Sequence, residues 1–155
     1  MLYYLSLGSN LGEREQTLRA ALQQIEQQIG SVLRCSSFYY SEAWGFDSKN
    51  TFCNLCCAVE STLEPLEVLR LTQSIERALG RTHKSCGETG ANTTPVYSDR
   101  PIDIDIIRAF DNDGEEIKCQ ITNDQSPMRG LPLLTLPHPL WQQREFVTIP
   151  LSEIA

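Results

Sequence analysis

The sequence has no long hydrophobic run and few basic residues. No apolar segment approaches the roughly 20 residues of a membrane-spanning helix, and the N-terminus lacks the charged and small-residue regions of a signal peptide. We therefore expect a cytoplasmic protein with no membrane contact. Thirteen basic residues against 20 acidic ones give a formal charge of -7, which repels nucleic acid phosphates. No nucleic-acid partner is expected.

Histidine is scarce, and the cysteines follow no metal-binding or disulfide pattern. The chain has two histidines, six cysteines and no second Cys-x-x-Cys pair, which argues against a zinc site. Cys53 and Cys56 are three apart in a predicted strand, so they should lie on opposite faces of a sheet. In the reducing cytosol the cysteines are expected to be free thiols. A length of 155 residues suits a single domain over 1–155.

The pattern of apolar residues predicts an α+β fold. Strands are predicted over 2–7, 31–40, 52–60 and 101–108. Apolar residues at helical spacing predict helices over 13–29 and 65–79. The order βαββαβ is typical of a ferredoxin-like core, with its helices on one face of a mostly antiparallel sheet.

A long loop and a C-terminal extension complete this organisation. Residues 82–99 have no apolar periodicity and are predicted to form a loop, which at this length is typical of a functional lid. The extension is predicted to contain a turn at 112–114, a proline-rich connector over 127–137 and a short helix over 138–155.

Asp103 and Asp105 are the strongest candidate site residues. They alternate with isoleucines along a predicted strand, so both carboxylates should project from one face and share divalent ions. Hard oxygen ligands next to Arg100 suit a magnesium-bound nucleotide. The alternative is an edge strand whose two aspartates are simply solvated.

Three weaker features each have a structural alternative. The glycine-rich turn at 8–12 precedes a helix, as in phosphate loops, but it lacks the Gly-Lys-Ser/Thr ending, and an ordinary turn explains it better. Gln73 and Glu76 share one helix face, and without further context a solvated face explains them better. His138 lies between two prolines near Arg144, and this pair can hold phosphate oxygens. A hydrogen-bonded structural histidine is the alternative.

Six separated motifs occur in order along the chain. They are LSLGSNLG at 5–12, SSFY at 36–39, FCN at 52–54, IE through GR at 75–81, DRPIDIDI at 99–106, and PHP at 137–139 with REFV at 144–147 and PL at 150–151. Together they resemble the hydroxymethyldihydropterin pyrophosphokinase family of folate synthesis, from Tyr4 to about Ile154. The resemblance implies an ATP-dependent diphosphotransferase. In its reaction the hydroxymethyl oxygen of 6-hydroxymethyl-7,8-dihydropterin attacks the β-phosphorus of ATP and AMP leaves.

The resemblance also implies roles for individual residues. Two Mg²⁺ ions would be held by Asp103 and Asp105, which form the catalytic set with Arg81 and Arg100. ATP would be bound by Gln73, Glu76, Arg81, Thr135, His138 and Arg144, with His138 among the phosphate-contacting cations. The pterin would lie between Phe52 and Phe146, with its polar edge against Asn54 and Ser41. The lid would carry His83, Lys84 and Tyr97, where relatives often have arginine in place of His83 and tryptophan in place of Tyr97. The partners would be these two small molecules, bound by a monomer.

Two other functions share this fold and are kept as alternatives. A ferredoxin-like binding module would not need paired aspartates next to arginines. A metal-dependent phosphatase would release inorganic phosphate rather than AMP. Identifying the nucleotide product separates the three hypotheses.

Overall fold

The computed structural model describes residues 1–42, 51–80, 101–122 and 132–155. The strands in these ranges are β1 (Leu2–Ser9), β2 (Ser31–Cys35), β3 (Tyr39–Ser41), β4 (Phe52–Glu60), β5 (Asp103–Phe110), β6 (Cys119–Thr122) and β7 (Pro132–Leu136). The helices are α1 (Arg14–Gln28), α2 (Pro65–Ala78), α3 (Glu145–Ile154) and a short 3₁₀ helix at Trp141–Gln143. The predicted loop over 82–99 lies outside the described residues.

The main sheet is antiparallel, in the order β2-β4-β1-β5, with β3 also paired to β4. Helices α1 and α2 pack on one face, where their apolar residues join those of the strands in the larger core cluster. This confirms the predicted α+β, ferredoxin-like architecture with both of its helices on one side. Helix α3, from the C-terminal extension, packs on the opposite face. Strands β1 and β4 are therefore buried along almost their whole length.

The two core clusters also confirm the prediction for the cysteines of β4. Cys53 belongs to the cluster beneath α1 and α2, and Cys56 belongs to the cluster beneath α3. The five described cysteines are all free thiols.

The single strand predicted over 31–40 is wrong, because the chain leaves the sheet between β2 and β3. At the break, Ser36 donates its backbone N–H to Cys56 O at 2.9 Å. Its side-chain Oγ accepts the Cys56 N–H at 3.0 Å, in place of a backbone carbonyl. Ser37 is then held outside the sheet by Glu153, which accepts its backbone N–H. Two short strands result, and both pair with β4.

Strand β5 contains a bulge directly after the two aspartates. Asp105 pairs with Ser6 and Ile106 with Leu5, whereas Tyr4 pairs with Arg108, so Ile107 is an extra residue. Before the bulge, the odd-numbered residues share the α3 face. After it, Arg108 shares that face, since it is paired with Tyr4 of the α3-side cluster.

The C-terminal extension differs from its prediction in two places. The connector predicted over 127–137 contains β7, which pairs with β6 in a separate two-stranded sheet. The helix predicted over 138–155 begins only at Glu145. A cis Leu136–Pro137 bond, a turn and the 3₁₀ helix precede it. His138 is followed by Pro139, which disfavours the helical conformation at His138.

None of the helices in the described ranges is both long enough and apolar enough to span a membrane.

Candidate active site

Three neighbouring strands have an end on the same side of the main sheet, where β1 ends and β4 and β5 begin. Gly8 of β1 pairs with Asn54 of β4 on one side and with Asp103 of β5 on the other. Directly paired residues point to the same face, so Asn54, Gly8 and Asp103 form a row across the α3 face of the sheet. The outer two positions are about 10 Å apart, two strand spacings of about 4.8 Å. A candidate pterin residue and a candidate metal ligand thus lie at the two ends of one shallow surface.

The two aspartates project from this face and are half-buried. Asp105 pairs with Ser6, two residues before Gly8, while the intervening Ile104 is buried on the helix side. Their shared face is the arrangement that the alternation of aspartate and isoleucine predicts.

Glu76 holds the strand between the aspartates, a role that the sequence did not predict. Within the described ranges, β5 is the last strand in the order of the main sheet, and an isolated bridge from Phe110 to Glu116 lies at the end far from the aspartates. Glu76 is only 8% exposed, and its Oε2 accepts the Ile104 N–H at 2.6 Å. Gln73, one turn earlier on α2, is exposed. Glu76 therefore links α2 to the segment that carries both carboxylates.

The aspartate pair fits a magnesium site that is completed by a substrate. Within the described parts of the chain, no group of three or more His, Cys, Asp or Glu side chains is placed to hold an ion. Mg²⁺ does not need such a cage, because it is commonly bound by one or two carboxylates, substrate phosphates and water. Two carboxylates on one strand face meet this requirement.

At the other end of the row, Asn54 is buried and its orientation is fixed. Its Nδ2 donates to Tyr39 O at 3.1 Å and to Ser41 Oγ at 2.9 Å. Ser41 also pairs with Phe52 across the strands. The structure therefore brings together Ser41, Phe52 and Asn54, the three candidate pterin residues of β3 and β4. With both amide hydrogens of Asn54 engaged, its Oδ1 is left as an acceptor on the Gly8 side.

Gly8 forms the floor between the two halves of the surface. A Cβ atom at this position would lie 2.8 Å from Asn54 Oδ1 and 3.5 Å from Phe52 Cδ1. The glycine-rich pattern predicted a turn at Gly8, but this residue lies within β1. No local sequence signal indicates its role, because that role depends on the register with β4.

Helix α3 brings Phe146 and Arg144 to the same face. Cys56 Sγ donates to the carbonyl oxygen of Val147 at 3.6 Å, which places the first turn of α3 above β4. Arg144 Cζ lies 5.7 Å from the centroid of the Phe146 ring. Arg144 is 9% exposed.

His138 is a positioned, neutral hydrogen-bond donor. Its backbone N–H donates to Ile107 O at 2.8 Å, and its Nδ1 accepts the Leu140 N–H at 3.1 Å, so the ring proton belongs on Nε2. Burial and the charge of Arg144 lower the pKa of His138 to about 4, against an opposing effect of Asp103. At pH 7 the ring therefore donates through Nε2 without being the cation that the resemblance implies. The charges of Arg144 and Asp103 are therefore close enough to affect the pKa of His138.

Because the pKa of His138 is lowered in the folded chain, the protein should lose stability in acid. Its pKa is about 4 in the folded chain against an ordinary 6.5, so between these values the unfolded chain binds more protons. The free energy of unfolding should fall as the pH falls from 6.5 towards 4. His138→Gln should reduce this dependence, as measured by urea denaturation at a series of pH values. His83→Gln, which removes the other histidine, is the control, and an unchanged slope in His138→Gln would contradict the assignment.

The remaining candidate residues are either peripheral or outside the described ranges. Thr135 lies in β7, paired with Gln120, and alternates with the buried Leu134 and Leu136. It therefore points away from the core. The candidates that fall outside the described residues are Arg81, His83, Lys84, Tyr97 and Arg100.

Comparison with known proteins gives a consistent result. The family model described as 7,8-dihydro-6-hydroxymethylpterin-pyrophosphokinase matches residues 4–155. A 2-amino-4-hydroxy-6-hydroxymethyldihydropteridine pyrophosphokinase of Porphyromonas gingivalis is 44% identical over 154 residues, 99% of this chain and 90% of the relative. Proteins of the same name from Bacillus subtilis and Aquifex aeolicus are 32% and 30% identical, over 97% of this chain in both cases and over 76% and 78% of the relatives.

Proposed function

Since this chain belongs to the 7,8-dihydro-6-hydroxymethylpterin-pyrophosphokinase family, we propose how its own residues carry the reaction of that family. The chain is an ATP-dependent diphosphokinase of folate biosynthesis. It transfers pyrophosphate from ATP to the hydroxymethyl group of 6-hydroxymethyl-7,8-dihydropterin, giving AMP and the pterin diphosphate.

The pterin is assigned to the Asn54 end of the row. Phe52 and Phe146 would hold the ring between them, since Phe52 is next to Gly8 and Phe146 packs against the cluster beneath α3. The Oδ1 atom of Asn54 would accept from the amide-type edge of the ring, and Ser41 would bind next to it. The observation that supports this proposal is the row of Asn54, Gly8 and Asp103, in which a candidate pterin residue and a candidate metal ligand share one face of the sheet.

The triphosphate is assigned to the Asp103 end. Asp103 and Asp105 would hold two Mg²⁺ ions, which when bound neutralise phosphate charge and polarise the phosphoryl group. Nε2 of His138 and the guanidinium of Arg144 would donate to phosphate oxygens. The arrangement orients the hydroxymethyl oxygen towards the β-phosphorus and needs no covalent intermediate on the protein.

Other assignments rest on the family resemblance. Gln73, Glu76 and Thr135 are proposed to contact the nucleotide. Arg81 and Arg100 are proposed to complete the catalytic set, with His83, Lys84 and Tyr97 in a lid. We also propose that residues 1–155 form one domain that acts as a cytoplasmic monomer, which light scattering at working concentration would test.

Removing either ring of the proposed sandwich should weaken pterin binding selectively. Phe52→Ala and Phe146→Ala should each raise the pterin Kd about tenfold, since each aromatic contact contributes about 1 kcal/mol beyond the area that it buries. The Kd of a non-hydrolysable ATP analogue should change less than about twofold. Calorimetric titration of both ligands measures this difference.

Phe38→Ala is a matched control, because the Phe38 ring lies on the helix side of the sheet. Its centroid is 5.2 Å from Arg19 Cζ of α1, and the ring packs against the core there. This variant should leave the pterin Kd unchanged. Equal loss of ATP-analogue and pterin affinity in the Phe52 or Phe146 variant would show that the rings do not define the pterin pocket.

A further inference from the structure

Arg108 is a cation on the α3 face of the sheet, and its guanidinium contacts three neighbouring side chains. Its Nε and Nη2 contact Glu116 Oε2 and Oε1 at 2.9 and 3.1 Å. This pairing raises the pKa of Arg108 and lowers the pKa of Glu116. The guanidinium also lies 5.0 Å from the Phe110 ring centroid and 5.4 Å from that of Trp141. A two-point ion pair fixes the plane of the guanidinium, so the group can support a ring packed against it.

The bulge at Ile107 places Arg108 where it can reach Trp141. Without the extra residue, the side chain at 108 would point towards α1 and α2. With it, Arg108 shares the α3 face with Asp103 and Asp105.

Trp141 is the central residue of the turn between His138 and Arg144. Its N–H donates to His138 O at 3.4 Å, and its own carbonyl accepts the Arg144 N–H at 3.3 Å. Both bonds are long, but Gln143 N–H donates to Leu140 O at 3.0 Å and Leu140 N–H donates to His138 Nδ1 at 3.1 Å. These bonds fix the shape of the turn but not its position relative to β5. The backbone of the turn is attached to β5 by the bond from His138 N–H to Ile107 O, on the residue before Arg108. Backbone and side chain thus attach this turn to adjacent residues of β5.

We propose that Arg108 is a positioning residue for the nucleotide. It fixes Trp141 against β5 and thereby sets the positions of His138 Nε2 and the Arg144 guanidinium relative to Asp103 and Asp105. Arg108 does not contact the substrate itself. The inference rests on the proposed function in one respect, namely that His138 and Arg144 bind phosphate.

The test compares nucleotide and pterin affinities in a small set of variants. Arg108→Met keeps the length of the stem and removes the planar charge, and it should raise the Kd of a non-hydrolysable ATP analogue about tenfold. The pterin Kd should stay within about twofold of wild type. Arg108→Lys should recover only part of the loss, since an ammonium cannot make the two-point contact with Glu116. Arg70→Met is the matched control, because Arg70 and Glu67 form an exposed pair at 3.6 Å on α2.

A purely structural role for Arg108 predicts a different pattern. It would lower the melting temperature and weaken both ligands alike, and this result would overturn the proposal. Arg144→Met, measured alongside, separates the two assumptions. If Arg144→Met weakens the analogue and Arg108→Met does not, the positioning role fails while the phosphate assignment stands. If neither variant changes the analogue Kd, both fail. If Arg108→Met does not fold, Glu116→Gln is the substitute, because it weakens the contact to the same guanidinium and keeps the side-chain shape. It should raise the analogue Kd while the pterin Kd stays near wild type.

Discussion

Replacing Asp103 or Asp105 by asparagine should lower kcat by about a thousandfold or more, because each substitution would remove a proposed charged ligand worth several kcal/mol of transition-state stabilisation. Asparagine has nearly the same shape, so the half-buried strand should stay folded. The substitution also relieves the repulsion between two neighbouring negative charges. Steady-state AMP formation and thermal unfolding measure the two effects.

Asp113→Asn is the control for this pair of variants. Asp113 is exposed in the turn that follows β5, at the far end of the strand from the aspartate pair. The Asp113→Asn variant should turn over at the wild-type rate. A wild-type rate in either Asp103→Asn or Asp105→Asn would mean that the pair is a solvated strand face and not a metal site.

Gly8→Ala should raise the pterin Kd by tenfold or more while the ATP-analogue Kd stays within about twofold. The added Cβ would lie 2.8 Å from Asn54 Oδ1, closer than real Cβ contacts allow. Asn54 cannot turn aside without breaking its bonds to Tyr39 O and Ser41 Oγ. The acceptor proposed for the pterin edge would therefore move or be covered. Titration with each ligand separately is the measurement.

A second glycine separates this local effect from a general loss of stability. Gly114 has a φ of 83°, and a Cβ added there would meet no atom within 4 Å. Gly114→Ala should therefore cost about 1 kcal/mol of backbone strain without touching the site. It should bind the pterin as tightly as wild type. Wild-type pterin affinity in Gly8→Ala would remove Gly8 from the floor of the pocket.

Local sequence patterns predicted the elements whose contacts are local or strictly alternating. Helix α1, predicted over 13–29, is Arg14–Gln28, because its apolar residues keep helical spacing without interruption. The alternation around Asp103 and Asp105 predicted a packed strand with both carboxylates on one face. Strands β6 and β7 were missed, since two short segments of this kind are strands only by pairing with each other. The break at Ser36 was missed because a side chain replaces one backbone partner there.

Some residues of the candidate site could likewise be predicted from the sequence, and others could not. The aspartates could be predicted from spacing, and the roles assigned to Asn54 and Ser41 come from the family resemblance. The Gly8 floor depends on a strand register, for which the sequence offers no local cue. The contact between Arg108 and Trp141 depends on the bulge in β5, and the sequence does contain a local signal for this bulge. Two adjacent isoleucines, Ile106 and Ile107, interrupt an otherwise regular alternation, as expected where a strand takes up an extra residue.

The two-metal assignment can be tested by counting the divalent ions bound at the aspartate pair. Electron paramagnetic resonance of Mn²⁺, titrated into the chain with a non-hydrolysable ATP analogue, would give the number of ions bound per chain. We expect two ions in the wild type and in Asp113→Asn, and at most one in Asp103→Asn or Asp105→Asn. Two ions bound with unchanged affinity in either of these last variants would contradict the assignment.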